Sequence, residues 1–268
     1  MRAFMALGLL LAGVPASART LVVHPGQSIR AALTRASAGD RIEVLPGTYR
    51  EGGRQEASAV TITRNGIELV GLSRPGHPVV LENAGAQSYG VWVSPANSLP
   101  GTDDEHPPCG GPQPAVLKGF AIRGFTIRGF AVHGVHLACV EGFSIADNRS
   151  ENNSVYGLFP VRSRHGLMTG NVVTGTTDDA AVYVGQSEDV LIAGNRVFGN
   201  LLGIDPDPKD DRVIENRLKD NGLGDFSFNP FFESMKGDLI WDGSGSGNCW
   251  SGNTFTPTAA SAQLPACK

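Results

Sequence analysis

Residues 143–153 read FSIADNRSENN, 166–176 GLMTGNVVTGT, 190–200 VLIAGNRVFGN and 212–221 RVIENRLKDN. Aligned, they set Asn148, Asn171, Asn195 and Asn216 in one column, at spacings of 23, 24 and 21 residues. Five places on stand Asn153, Thr176, Asn200 and Asn221, and three places before the first column stand Ile145, Met168, Ile192 and Val213. Each block then turns into a second short run: YGLFPVRS, AVYVGQS, LGIDPDP. Self-similarity at a period of ~22 residues is the mark of a solenoid. Short two-period strands broken by Asn and Gly make it a β-solenoid rather than a helical one. One coil cannot bury its own inner face, but coils stacked at ~4.8 Å can, with Ile and Val filling the interior. The asparagines are read as structural. Asn tolerates the left-handed conformation of a sharp corner, and its amide can bond its counterpart one coil on.

Outward from these blocks the repeat is less regular. Strands are expected at Arg41–Leu45, Gly66–Gly71, Val79–Glu82, Tyr89–Val93 and Phe120–Ile127, with FAIRG and FTIRG as two strands of one coil around a corner. Ser28 caps a short helix over Ile29–Ala36, whose Ile29 and Leu33 share one face and close the first coil. Residues 95–114 form an inserted loop, and 243–268 read as a C-terminal cap. The chain from 19 to 268 is therefore expected to be a single all-β domain.

Of 268 residues only 18% are charged, while Gly (35) and Pro (17) together make about one residue in five, which excludes a helical bundle. A net charge of −4 without a run of Lys or Arg excludes nucleic acid and anionic membrane as main partners. Residues 1–18, with Arg2, an apolar run from Ala3 to Val14 and Ala16-Ser17-Ala18, read as a secretory signal peptide. An exported, soluble, monomeric chain is expected, outside the cell, at its surface or in the periplasm. Export makes the four cysteines a disulfide question. The pairing Cys109–Cys139 and Cys249–Cys267 closes two local loops; a zinc site with the nearby histidines is the alternative, without C-x-x-C spacing.

LVVHPGQSIRAAL and AGDRIEVLPGTYRE resemble the opening of secreted bacterial proteins of the pectin-lyase-like superfamily, and the N-x-V-x-x-N coils match the same group. The resemblance spans nearly all of the mature chain and implies a right-handed parallel β-helix. It leaves the function open, since that superfamily holds lyases, hydrolases, epimerases and non-enzymes.

Registering the second runs places Gly90, Gly134, Gly157, Ala181 and Gly203 in line. Two places on come Trp92, His136, Phe159, Tyr183 and Asp205; four places on come Ser94, Ala138, Val161, Gly185 and Asp207. The alternating residues are apolar, so the latter two columns point outward. With 44 residues separating Trp92 from His136, one coil is expected between them. Tyr89, His133 and Tyr156 rim the same face. Such an exposed aromatic ladder suits sugar stacking; the alternative is that the 95–114 loop folds back and buries it as a minor core.

Asp178, Asp179, Asp205 and Asp207 are candidates for acid–base work on a glycosidic bond, and Asp205 and Asp207 for holding Ca²⁺. His136 is a candidate base; on a straight strand His133, three residues away, faces the other way. Arg123 or Arg128 would serve if the chain acts as the superfamily's lyases do, where Arg removes the proton beside a uronate carboxylate and Ca²⁺ neutralises it. DDAAVYVGQSEDVLIAGN weakly resembles the Asp-Asp stretch of β-helical polygalacturonases, but their Gly-His-Gly and Arg-x-Lys are missing, as is the Asp-Pro-His-Asp of mannuronan C5-epimerases. The leading expectation is a protein that acts on or binds an acidic polysaccharide, as a lyase or C5-epimerase, and next a non-catalytic binder or surface protein. Some exported β-helix proteins serve metalloenzyme assembly. That role calls for Met or His clusters, and only four Met are present, two of them in the leader.

Overall fold

The computed structural model describes residues 18–53, 56–101, 105–109, 116–222, 226, 234–241, 243–261 and 263–268. The signal-peptide stretch and parts of the 95–114 loop lie outside them. The chain winds into stacked coils whose strands form three parallel faces.

The first face runs from Thr20–Val23 and Arg41–Val44 through Ile67–Gly71, Leu117–Arg123, Val140–Ala146 and Arg164–Thr169 to Arg212–Ile214 and Cys249–Ser251. The second is a seven-stranded sheet of three- and four-residue strands, ending in Val172–Thr174, Arg196–Phe198 and Arg217–Lys219. The third holds Ser58–Ile62, Tyr89–Val93, His133–Ala138, Tyr156–Val161 and Leu202–Lys209. Ala180–Ala193 runs through the first and third faces and joins them. FAIRG and FTIRG do turn a corner, at Gly124, whose φ of 76° and contact with the Gly71 carbonyl leave no room for a side chain. The helix spans Ile29–Arg35, capped by Ser28, and buries Ile29, Ala32 and Leu33. Cys249–Ser251 pairs with Arg212–Ile214, so the C-terminal segment adds a strand as well as a cap.

Ile42, Leu69, Ile122, Ile145, Met168, Ile192 and Val213 fill the interior on successive coils, all fully buried. The Asn columns are hydrogen-bonded ladders. The Asn171 amide donates to Ile145 O at 2.8 Å and to Asn195 Oδ1 at 3.0 Å, and its own Oδ1 accepts from Asn148 N at 3.0 Å. The column continues through Asn216 to Asn253. The backbone explanation needs one correction. The left-handed residue is the one before each Asn (Asp147, Gly170, Gly194 and Glu215, at φ 54–64°), and the Asn itself turns inward. A third corner, unforeseen from sequence, uses hydroxyls: Val140 N donates to Ser163 Oγ and Ser163 N to Ser187 Oγ, both at 3.0 Å.

Candidate functional site

The third face carries the expected register. Trp92 pairs with His136, His136 with Phe159, Tyr183 with Asp205 and Gly185 with Asp207. Trp92 and His136 lie on neighbouring strands, however, so no coil intervenes; the extra residues between them belong to the inserted loop. The rings form two stacks. Trp92 lies 4.0 Å from His136, His136 5.1 Å from Phe159 and Phe159 5.2 Å from Tyr183. Beside them Tyr89 lies 5.5 Å from His133, and His133 4.9 Å from Tyr156. His133 and His136 thus share one face, their rings 5.4 Å apart and 13° from parallel. Strict alternation does not hold along this strand. The corresponding residues on the next strands show it: Ala181 and Val182 both belong to the main core.

The ladder points outward from the solenoid, but it is not an open platform. Trp92, His136 and Phe159 are 0% exposed and His133 2%. The described part of the inserted loop covers them. Trp92 Nε1 donates to Ser98 O at 2.9 Å, Ser98 Oγ to Pro108 O at 2.9 Å, and Arg162 to Pro107 O at 3.1 Å. The Cys109–Cys139 disulfide fastens the loop to the end of the His133–Ala138 strand. From the other side Leu201, Leu202, Phe226, Met235 and Ile240 complete a second core around Tyr156 and Phe159. Both expected disulfides form, the second being Cys249–Cys267.

What stays at the surface is the rim. Asp178 is exposed; Asp179, Tyr183 and Asp207 are half-buried; Asp205 is buried. Tyr156 donates to Asp179 Oδ2 at 3.0 Å, and Tyr183 to Asp207 Oδ2 at 3.3 Å. The other oxygen of Asp207 accepts from Ser244 at 2.7 Å. Burial pushes the Asp179 carboxyl up to about 6, against hydrogen bonds from Tyr156 and Ala180 that favour its charge; Glu105 and Asp178 add to the rise. Burial, reinforced by the neighbouring carboxylates, holds the Tyr156 and Tyr183 phenols protonated well above the usual range. Glu105 was not singled out from sequence. Its loop position gave no sign that the disulfide carries it toward Tyr156, Asp179 and Tyr183.

The rim therefore offers a proton donor near pH 6, the half-buried phenol edge of Tyr183 and several acceptors. His136 is sealed from solvent. Arg123 is exposed on the first face, and Arg128, on the second, is held by Glu82 at 2.7 Å. Among the described residues no three His, Cys, Asp or Glu side chains are grouped to hold a metal ion.

Residues 115–256, more than half of the chain, match the family described as periplasmic copper-binding protein (NosD). The chain belongs to that family. No curated protein sequence matches this NosD-family chain. Among solved structures, pectate lyase Pel9A superposes with a TM-score of 0.65 at 13% identity, over 89% of this chain and 64% of that one. The ORF18 protein of Geobacillus virus E2 gives 0.59 at 14% identity, over 84% of this chain and 44% of that one. The NosD-family chain thus spans less than two thirds of either protein, and at these identities the likeness shows the fold. That fold is the pectin-lyase-like parallel β-helix expected from the sequence. No helix among the described residues is long and apolar enough to cross a membrane.

Proposed function

We propose that this protein is an exported β-helix that binds a polysaccharide along the rim formed by Asp178, Asp179, Tyr183, Asp205 and Asp207, without turning it over. The observation that carries this reading is the seal over the aromatic ladder. Glycosidic chemistry places two carboxyl groups on either side of the scissile bond. Here His136 and the rings that would have walled a cleft are core residues, and both oxygens of Asp207 are engaged. A rim of phenol edge and carboxyl groups remains, the composition of a sugar-binding edge. Two disulfides accord with an oxidising compartment, and the family's description supports the periplasm over the cell exterior.

That description also names copper. Among the described residues no donor set grouped to hold the metal is found. All four cysteines are in disulfides, Met168 lies in the main core and Met235 in the second. The near-parallel stacking of His133 and His136 keeps their in-plane lone pairs from converging on one ion. A second reading, catalysis as a lyase or C5-epimerase aided by Ca²⁺ at Asp205 and Asp207, is favoured by the Asp179 carboxyl, which titrates where a general acid works.

Affinity electrophoresis against neutral polysaccharides, pectate, alginate and glycosaminoglycans, with Ca²⁺ or chelator, tests both. Retention by at least one polymer is expected. Tyr183→Ala should weaken it about tenfold through loss of ring contact. Unsaturated uronate or new reducing ends that vanish in Asp179→Asn would establish the catalytic reading instead.

A further inference from the structure

The rim lined by carboxylates is a poor match for an acidic chain, but the opposite charge is gathered on the outer side of the second face. In its last two strands Val197 and Leu218 point into the core, while Arg196, Arg217 and Lys219 are exposed. Arg196 pairs with Arg217 and Phe198 with Lys219. Two guanidinium groups therefore leave neighbouring strands side by side, at the ~4.8 Å strand spacing. Like charges directly opposite in a sheet are destabilising.

Earlier on this face the same problem is solved internally. Glu82 takes Arg128 and Arg50, and Glu151 takes Arg149. Arg196 and Arg217 enter no ion pair among the described residues; Lys219 has only the exposed Asp220, at 3.3 Å. They line a groove of about 630 Å³ together with Leu218, the half-buried Phe198, the exposed Thr256 and the half-buried Phe255, which also packs against the main core. Phe255 arrives on the C-terminal segment, where Thr254 bridges Arg217.

An uncompensated arginine pair selects an anion with planar, bidentate oxygen pairs, and carboxylate meets that geometry. The phenyl rings add an apolar surface for a sugar ring, and the threonine adds a hydroxyl. Two arginines and a lysine, on a chain of net charge −4, are too few for a phosphate backbone track. We propose that this groove binds a uronate-containing polysaccharide, with uronate carboxylates on Arg196 and Arg217 and a sugar ring against Phe198 or Phe255. The site is separate from the tyrosine–carboxylate rim and stands or falls independently of it.

The test is calorimetric titration of the full chain with short polygalacturonate and alginate oligomers at low and high salt. Their carboxyl-reduced, neutral counterparts and a single-stranded DNA oligomer serve as comparators. The wild type should bind the uronates, more weakly as salt rises, and neither comparator with similar affinity. Arg196→Gln and Arg217→Gln should each weaken binding about tenfold, as expected for loss of a charge-assisted bidentate pair. Arg149→Gln, on the same face but paired with Glu151, and Tyr183→Ala should leave it within about twofold. All substituted side chains except Tyr183 are exposed, and circular dichroism and thermal melts verify the fold. Failure of the wild type to bind uronates would overturn the inference. So would equal binding of the neutral chains or DNA, unchanged affinity in the Arg196 and Arg217 variants, or an equal loss in Arg149→Gln. Loss in Tyr183→Ala alone would place binding at the rim and overturn the groove.

Discussion

The buried asparagines at the coil corners serve the backbone of the preceding coil. Asn148, Asn171, Asn195 and Asn216 each satisfy a corner N–H and a carbonyl that the turn would leave unpaired. Asp211 accepts from Val190 N at 2.9 Å in the same manner, but it is a carboxyl, 0% exposed, and its second oxygen has no hydrogen-bond partner among the described residues. Burial, with Asp189 and Asp210 nearby, raises it to about 7. Its folded pKa exceeds the ordinary value of about 4. Stability from this group is therefore complete below that value and is lost as pH rises through 7. Asp211→Asn keeps the acceptor and removes the charge. Thermal melts should show the variant matching the wild type at pH 4 and melting several degrees higher at pH 8. A parallel decline of both proteins with pH would contradict this. The Asn columns were visible in the sequence because each Asn repeats once per coil. The left-handed position was misplaced by one residue, since Asp147, Gly170, Gly194 and Glu215 share a conformation but not a chemistry.

At the scale of elements, the inserted loop decides what the third face can do. Its described part brings Ser98 and Pro107 over Trp92 and Arg162, and the Cys109–Cys139 bond closes the arrangement. Replacing both cysteines by serine should cost about 2–4 kcal/mol, as for other loops of this order. Urea unfolding measures that loss, and acrylamide should then quench a larger share of tryptophan emission as Trp92 is uncovered. An unchanged midpoint and unchanged quenching would mean that packing alone holds the cover. The register of the ladder was legible because a strand's period of two sorts apolar from aromatic columns on every coil. The seal was not. Whether Ser98 and Pro107 come over Trp92 or away from it depends on contacts far apart in sequence, such as Arg162 with Pro107. That His133 rims the ladder was legible from the corner column of Tyr89, His133 and Tyr156; the opposite facing expected of His133 and His136 on a straight strand fails because alternation is not kept there.

Across the described residues, stacked coils share one continuous core dominated by Ile, Leu and Val, and their outer faces are free to differ. One outer face has become a second core with an acidic rim; another presents an arginine pair beside phenyl rings. The fold could be read largely from the repeat, because the coils from Phe143 onward restate the same apolar and Asn positions. The surface could not, because the arginines gain significance only from the partners they lack, and that is a fact of three-dimensional neighbourhood. Binding without turnover is the central claim. Its most direct test is to recover the polysaccharide from the purified complex after prolonged incubation with Ca²⁺, and to determine its length and uronate configuration by mass spectrometry and NMR. A chain returned intact, with its C5 centres unchanged, is the expected result. Shortened, unsaturated or C5-inverted product, absent from an Asp179→Asn control, would contradict it.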